Sequence, residues 1–105
     1  MKLYGLKTCD TCRKALKILK NAEFIDVREQ GVPSDVMARA IAAFSGDIVN
    51  TRSTTWRGLG ESERAKPAAT LLEQHPPLMK RPLIEDGENL YLGWNAQTQA
   101  ALGVG

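Results

Sequence analysis

The sequence contains little that could hold a metal ion, cross a membrane or bind a nucleic acid. It has two cysteines and one histidine among 105 residues, whereas a tetrahedral zinc site needs about four ligands. Lys and Arg number 14 against 12 for Asp and Glu, a net charge of +2, so the basic excess of nucleic-acid-binding domains is absent. No apolar run approaches the ~20 residues of a membrane-spanning helix. We therefore expect no bound metal, no nucleic-acid partner and no membrane contact.

The N-terminal stretch MKLYGLK also lacks the apolar core and the small-residue cleavage site of a secretory signal peptide. We therefore expect a cytoplasmic protein. The chain is 43% hydrophobic and 25% charged, which is an ordinary globular composition, and its length suits a single core. These values predict one domain, residues 1–105, and we expect it to be a monomer.

Both cysteines occur in one short polar stretch, KTCDTCRK (residues 7–14), for which several interpretations compete. A metal site would need ligands from a second chain, and buried structural cysteines would be unusual among so many polar neighbours. A structural disulfide is disfavoured because the cytosol is reducing and because so short a loop gains little from closure. A Cys-x-x-Cys motif that follows a strand and opens a helix is instead typical of a redox-active dithiol.

The position of the pair predicts different chemistry for its two thiols. Cys9 would lie at the first turn of a helix, where unsatisfied N–H groups and the helix dipole stabilise a thiolate and lower the thiol pKa. Cys12 follows three residues later, close enough to displace a partner from a mixed disulfide on Cys9. We therefore predict Cys9 as the nucleophile and Cys12 as the resolving thiol.

Hydrophobic patterning predicts a βαβ unit at the start of the chain. Apolar-rich runs at 2–6 and 23–29 predict strands, and apolar residues at three- and four-residue spacing predict a helix over 10–22. Two strands joined by a helix in this way are expected to be parallel, with a right-handed crossover.

A broken helical segment is expected next. Ser34 is predicted to cap a second helix. Glycine and proline then divide residues 46–75 into two or three short helices. Together these elements predict a helical cap inserted at about 34–76.

The last third of the chain has the pattern of a β-hairpin and a helix. Asp86-Gly87 predicts a type I′ turn between two strands, and Asn95 is expected to cap a final helix that Gly103 closes. The order of elements predicts an α/β, thioredoxin-like fold with a mixed sheet, made of a βαβ unit followed by a hairpin and a helix, with an inserted helical cap.

Four stretches, in the order LYGLKTCDTCRKAL, VNTRSTTWRGL, QHPPLMKRPLI and LYLGWN, resemble the arsenate-reductase-like (ArsC) family, nearest to its small YffB-like and Spx-type members. The resemblance covers essentially the whole chain. It implies that Cys9 is the family nucleophile, that Arg52 lines the active site from the cap, and that Arg81 lies beside the nucleophile. It also implies a cis peptide bond between Arg81 and Pro82.

The function implied is that of a glutathione-linked thiol-disulfide oxidoreductase. Arg52 and Arg81 would hold an oxyanion, a carboxylate or sulfur-bound glutathione, because guanidinium groups are planar and permanently charged. Lys7 and Thr8, in the turn before Cys9, are candidates for contact with a glutathione carboxylate. Glutathione would be a co-substrate, and we expect no bound cofactor.

Two positions depart from the arsenate reductases themselves. Gly93 stands where a third arginine is found in the last hairpin strand, so the oxyanion site is one charge short, and we do not expect true arsenate reduction. Cys12 stands where many family members lack a cysteine, which favours dithiol chemistry.

Dithiol chemistry also suits a second class of function, an Spx-like regulator that binds RNA polymerase and uses Cys9 and Cys12 as an oxidation switch. Such regulators resemble this chain but carry a longer charged tail, whereas the stretch AQTQAALGVG after Asn95 has no charge. We therefore favour the enzyme and keep the regulator as the alternative.

Overall fold

The computed structural model describes residues 1–104 and contains four strands and six α-helices within that range. In chain order they are β1 (Lys2–Gly5), α1 (Asp10–Ile18), β2 (Glu23–Asp26), α2 (Ser34–Phe44), α3 (Thr54–Arg57), α4 (Glu61–Arg64), α5 (Ala68–Gln74), β3 (Leu83–Asp86), β4 (Asn89–Leu92) and α6 (Ala96–Ala101). Short 3₁₀ helices also occur at Ser45–Ile48 and Pro76–Leu78. None of the helices in this range is long and apolar enough to cross a membrane.

The four strands form one mixed sheet in the order β2-β1-β3-β4. β1 runs parallel to β2, with Leu3 opposite Phe24, because α1 carries the chain back between them. β3 pairs antiparallel with β1, and β4 pairs antiparallel with β3 as a hairpin. This architecture confirms the predicted α/β, thioredoxin-like fold.

The chain divides into two compact units. One consists of Met1–Gln30 and the chain from Arg81 onward, and it contains the sheet with α1 and α6. The other is Gly31–Lys80, which contains α2 to α5. The helical insertion predicted at about 34–76 falls within this second unit.

Helix α1 packs on the sheet through one apolar face. Cys12, Ala15 and Leu19 recur at helical spacing on that face and form one buried cluster with Leu3 of β1 and Ile84 of β3. The opposite face of the helix is exposed and basic. Burial of this apolar face therefore turns Cys12 towards the sheet.

Glycine and proline divide the insertion at the expected places. α3 ends at Gly58, Gly60 occupies the position before α4, and Pro67 occupies the position before α5. These residues interrupt helix propagation because glycine is too flexible and proline lacks an amide hydrogen. Residues 46–75 were predicted to form two or three short helices, and the structure contains three α-helices there.

The predicted role of Ser34 as a helix cap is wrong. Pro33 occupies the position before α2, with an extended backbone, and no side chain caps the helix there. The Pro33 carbonyl accepts the first helical bond from the Met37 N–H at 2.9 Å. Because the extended Pro33 already precedes the first turn, Ser34 becomes the first residue of the helix instead.

The hairpin turn also differs from the prediction. Asp86 pairs with Asn89, so the two central turn residues are Gly87 and Glu88 rather than Asp86 and Gly87. Gly87 has φ +62°. In the part of the chain that the structure describes, Ser45 is the one non-glycine residue with positive φ, so the φ of Glu88 is not positive. A turn with positive φ at its first central residue alone has the pattern of type II′, not type I′.

Strand β2 is shorter than the predicted span of 23–29. The Asp26 carboxylate accepts hydrogen bonds from the backbone N–H groups of Arg28 and Glu29, at 2.9 and 3.3 Å to Oδ1. A side chain that bonds the backbone two and three residues ahead forms a turn in place of the strand ladder. The strand therefore ends at Asp26.

Candidate active site

Cys9 occupies the N-cap position of α1. Its backbone is extended, with φ −84° and ψ 115°, and its Sγ accepts a hydrogen bond from the Cys12 backbone N–H at 3.4 Å. Its own N–H donates to the Leu6 carbonyl at 3.0 Å. The sulfur of Cys9 thus lies at the positive end of the helix and takes one of the N–H groups that a helix start leaves unsatisfied.

The surroundings of Cys9 lower the pKa of its thiol. Partial burial acts in the opposite direction, since it disfavours the charged form. It is outweighed by hydrogen bonds from the Cys12 thiol and the Cys12 backbone N–H, and by the hydrogen bond and positive charge of Arg81. Cys9 is therefore the more acidic thiol of the pair, as a nucleophile requires.

Cys12 has the opposite character. Its side chain is fully buried, and burial together with the hydrogen bond to Cys9 and the charge of Cys9 raises the pKa of the Cys12 thiol to about 12. A backbone hydrogen bond from Leu6 and the charge of Arg81 act the other way without reversing the shift. Both cysteines are free thiols in the structure, so Cys12 is a protonated donor to Cys9.

Arg81 and Pro82 form a second segment of the site, and Arg81 interacts with Cys9. The peptide bond between them is cis, as the resemblance implied, and Pro82 is fully buried. The Pro82 carbonyl accepts the Gly93 N–H at 2.8 Å, which ties this segment to the end of β4. The guanidinium of Arg81 hydrogen bonds to Cys9, so the structure brings Cys9, Cys12 and Arg81 together.

Lys7 and Thr8 form the exposed turn that leads into Cys9. The Lys7 amine pairs with Glu29, with Nζ 3.0 Å from Oε1, and the Thr8 carbonyl accepts from Arg13 Nη2 at 3.4 Å. The Lys7–Glu29 pair is exposed, and such pairs contribute little free energy. Lys7 can therefore leave Glu29 and pair with another carboxylate. The predicted contact of Lys7 with a glutathione carboxylate stays a prediction.

Arg52 lies in the second unit, in the exposed turn before α3. Its backbone N–H donates to Asn50 Oδ1 at 3.0 Å, and the next residue, Ser53, caps α3 by accepting the Trp56 N–H. These bonds hold the backbone of the NTRS motif and leave the Arg52 side chain at the surface. The role that the resemblance implies for Arg52 stays a prediction.

Asp26 is a residue of the site that the sequence analysis missed. It is 7% exposed, and its Oδ2 accepts the Lys7 N–H at 3.1 Å while its Oδ1 holds the turn after β2. The carboxylate thus ties the turn before Cys9 to the end of β2. A signal was available, because parallel strands end at the same edge of a sheet, and an acidic residue at the end of β2 therefore lies beside the turn that follows β1.

No group of three His, Cys, Asp or Glu side chains within residues 1–104 is arranged to hold a metal ion. What this part of the chain offers is an acidic thiol at a helix N-terminus, a protonated thiol behind it, and a guanidinium beside it. That set can attack an electrophilic sulfur and bind the anionic group that accompanies it.

The chain is similar to known proteins over nearly its whole length. The profile of the ArsC family matches residues 4–102. An uncharacterized protein of Haemophilus influenzae is 38% identical over an alignment of 109 residues, which covers 94% of this chain and 95% of that protein. The global transcriptional regulator Spx of Bacillus subtilis is 29% identical over 104 residues, which cover 89% of this chain and 79% of Spx.

Among solved structures, a YffB protein superposes with a TM-score of 0.82 and 31% sequence identity, over 95% of this chain and 96% of that one. The family match extends from β1 through the cysteine motif and the Arg81–Pro82 segment to the end of α6. The chain therefore belongs to the ArsC family.

Proposed function

We propose that this protein is a thiol-disulfide oxidoreductase that uses Cys9 as nucleophile, Cys12 as resolving thiol and glutathione as reductant. The observation that carries the proposal is the asymmetry of the pair. Cys9 lies partly exposed at a helix N-terminus next to Arg81, whereas Cys12 is buried and protonated behind it. Two thiols of opposite acidity at three-residue spacing suit a two-step exchange.

In the first step, the Cys9 thiolate attacks one sulfur of a substrate disulfide. The disulfide bond breaks, a mixed disulfide forms on Cys9, and the other sulfur leaves as a thiolate that takes a proton from solvent. Arg81 would hold an anionic group of the bound partner as well as stabilising the thiolate before attack.

In the second step, Cys12 loses its proton and attacks Cys9 Sγ, which releases the bound thiolate and leaves a Cys9–Cys12 disulfide. Once Cys9 is in a mixed disulfide it carries no charge, so two of the causes that raise the Cys12 pKa disappear, while the charge of Arg81 still lowers it. Formation of the intermediate thus makes Cys12 more acidic. Two glutathione molecules then return the pair to the dithiol and become glutathione disulfide.

Arg52, Lys7 and Thr8 are proposed to bind glutathione or another small anionic thiol, which in the case of Arg52 rests on the family resemblance. Glutathione would act as a co-substrate without a bound cofactor. The proposal assigns the protein to the reducing cytoplasm, where a dithiol persists without structural oxidation, and it does not extend to arsenate.

The test compares wild type with Cys9→Ser and Cys12→Ser in glutathione-dependent reduction of a small disulfide. Cys9→Ser should lower the rate by roughly a hundredfold or more, because the nucleophile is lost. Cys12→Ser should accumulate a mixed disulfide between Cys9 and one half of the substrate disulfide, visible by mass spectrometry as the added mass of that half. Unchanged turnover and no adduct in Cys12→Ser would mean that Cys12 does not resolve the intermediate.

The sequence relatives favour one further candidate, a redox-switched regulator that binds RNA polymerase, since relatives named as the global transcriptional regulator Spx align over most of their length. The same preparation should be tested for capture of purified RNA polymerase in its dithiol and disulfide forms. Disulfide reduction without capture supports the enzyme, and capture without disulfide reduction supports the regulator.

A further inference from the structure

Gly5, the last residue of β1, lies against the thiol of Cys12. A Cβ atom built on Gly5 would be 2.5 Å from Cys12 Sγ and 3.3 Å from Cys12 Cβ. Favourable contacts between such atoms begin at about 3.5 Å. The volume that a side chain at position 5 would need is therefore the volume that the Cys12 sulfur occupies.

The backbone at position 5 does not require glycine. The φ angle of Gly5 is not positive. It pairs with Asp26 in the parallel ladder, and its carbonyl accepts the Val27 N–H at 2.9 Å. Within a strand, glycine is unfavourable because it loses more backbone entropy than other residues and packs no side chain. The close approach of Cys12 is the feature of this position that calls for glycine.

We propose that Gly5 is a positioning residue for the Cys12 thiol. Because Gly5 has no side chain, a space remains between the end of β1 and the first turn of α1, and Cys12 Sγ lies in it, shielded from water and hydrogen bonded to Cys9. The use of this placement in turnover rests on the proposed function, but the placement itself can be tested on the thiols alone.

An alanine at position 5 would displace the Cys12 sulfur. Cysteine has one side-chain torsion, and a helix restricts the rotamers that this torsion can adopt, so the sulfur must rotate away or the first turn of α1 must shift. Either movement weakens the hydrogen bond from the Cys12 thiol to Cys9. It also changes the relative placement of the two sulfurs, on which formation of a disulfide depends.

The experiment uses Gly5→Ala, Cys12→Ala and the double variant in a double-mutant cycle. The pH dependence of Cys9 alkylation is measured for all of them, and the equilibrium of the Cys9–Cys12 disulfide with glutathione is measured for those that keep both thiols. Gly5→Ala should shift the alkylation profile to higher pH and make the disulfide more reducible by roughly tenfold or more. In the Cys12→Ala background, Gly5→Ala should leave the profile unchanged. Gly46→Ala is the matched control, because no described residue other than its own chain neighbours has an atom within 4 Å of the added Cβ.

Unchanged profiles and disulfide equilibrium in Gly5→Ala would overturn the proposal, and so would an equal shift with and without Cys12. If Gly5→Ala does not fold but the double variant does, the clash with the sulfur is supported; if neither folds, glycine serves the strand and not the thiol. If the wild type forms no Cys9–Cys12 disulfide with glutathione, the proposed turnover fails while the alkylation profiles still decide the role of Gly5.

Discussion

At the scale of single residues, two cysteines three positions apart acquire opposite acid–base properties from their surroundings. Cys9 receives hydrogen bonds and lies beside a guanidinium, which together outweigh its partial burial and lower its pKa. Cys12 is buried and faces the charge of Cys9, which raises its pKa to about 12. The difference in acidity on which the proposed roles of nucleophile and resolving thiol depend is therefore a property of position in the fold, since the side chains are chemically identical.

Arg81 should be one source of the acidity of Cys9. Replacing it by methionine removes a hydrogen bond and a positive charge that both lower the Cys9 pKa, so we expect Arg81→Met to raise that pKa and to slow alkylation of Cys9 at pH 7. The rate of iodoacetamide reaction measured against pH tests this, and the buried Cys12 should not interfere. Arg13→Met is the control, because Arg13 bonds to Asp10 and Thr8. An unaltered profile in Arg81→Met would remove Arg81 from the site.

At the scale of elements, the turn that contains Cys9 is held by a helix and by a strand. Cys9 is the N-cap residue of α1, and its sulfur takes the place of the usual capping oxygen. β2 ends at Asp26, whose carboxylate accepts the N–H groups of Lys7, Arg28 and Glu29. The start of α1 and the end of β2 thus fix the backbone around Cys9.

Asp26 should stabilise this arrangement in a pH-dependent way. Burial raises its pKa, but the three backbone hydrogen bonds and the charge of Lys7 outweigh burial, and the net pKa is lowered. A carboxyl with a lowered pKa stabilises the folded state above its unfolded pKa of ~3.9, and that contribution is lost as the pH falls through the folded value. Asp26→Asn, which replaces an acceptor by a donor, should lower the free energy of unfolding by about 2 kcal/mol at pH 7.

Chemical denaturation at pH 7 and at pH values below about 4 would check this. The difference between wild type and Asp26→Asn should be largest at neutral pH and should shrink in acid. The exposed Asp47, as Asp47→Asn, serves as the control. A difference of the same size at every pH would mean that the substitution acts through packing and not through the carboxylate.

At the scale of the whole molecule, the sheet unit alone contains Cys9, Cys12 and Arg81, while Arg52 belongs to the helical unit. The residues proposed to carry dithiol chemistry therefore belong to the thioredoxin-like part of the chain. The helical unit contains the NTRS motif, and the role of Arg52 in that motif stays a prediction.

The surface predicts a monomer in solution. Within residues 1–104, the exposed large hydrophobic side chains are Met1, at 39%, and Ile18, at 51%, and so small an apolar patch is ordinary for a monomeric protein. Sedimentation equilibrium of the dithiol form should give the mass of one chain across a range of concentrations. A dimer would contradict the prediction, and Ile18→Lys would then show whether this patch forms its interface.

Local signals in the sequence predicted much of the structure. Asn95 caps α6 by accepting the Thr98 N–H at 2.8 Å, and Gly103 closes the helix with φ +76°, as expected. Such features depend on hydrogen bonds between near neighbours and can be recognised from residue type. The prediction for Ser34 was wrong because the extended Pro33 already precedes the first turn of α2. The prediction for the hairpin turn was wrong because the strand register pairs Asp86 with Asn89.

The sequence by itself determined the fold class and the place of the proposed nucleophile, because hydrophobic periodicity and a Cys-x-x-Cys motif between strand and helix are local properties of the chain. The tertiary structure decided which thiol is buried, and it brought Arg81 to Cys9 and Gly5 to Cys12. Burial, charge and close approach depend on atoms that folding brings together from distant parts of the chain, and these are what distinguish the two cysteines.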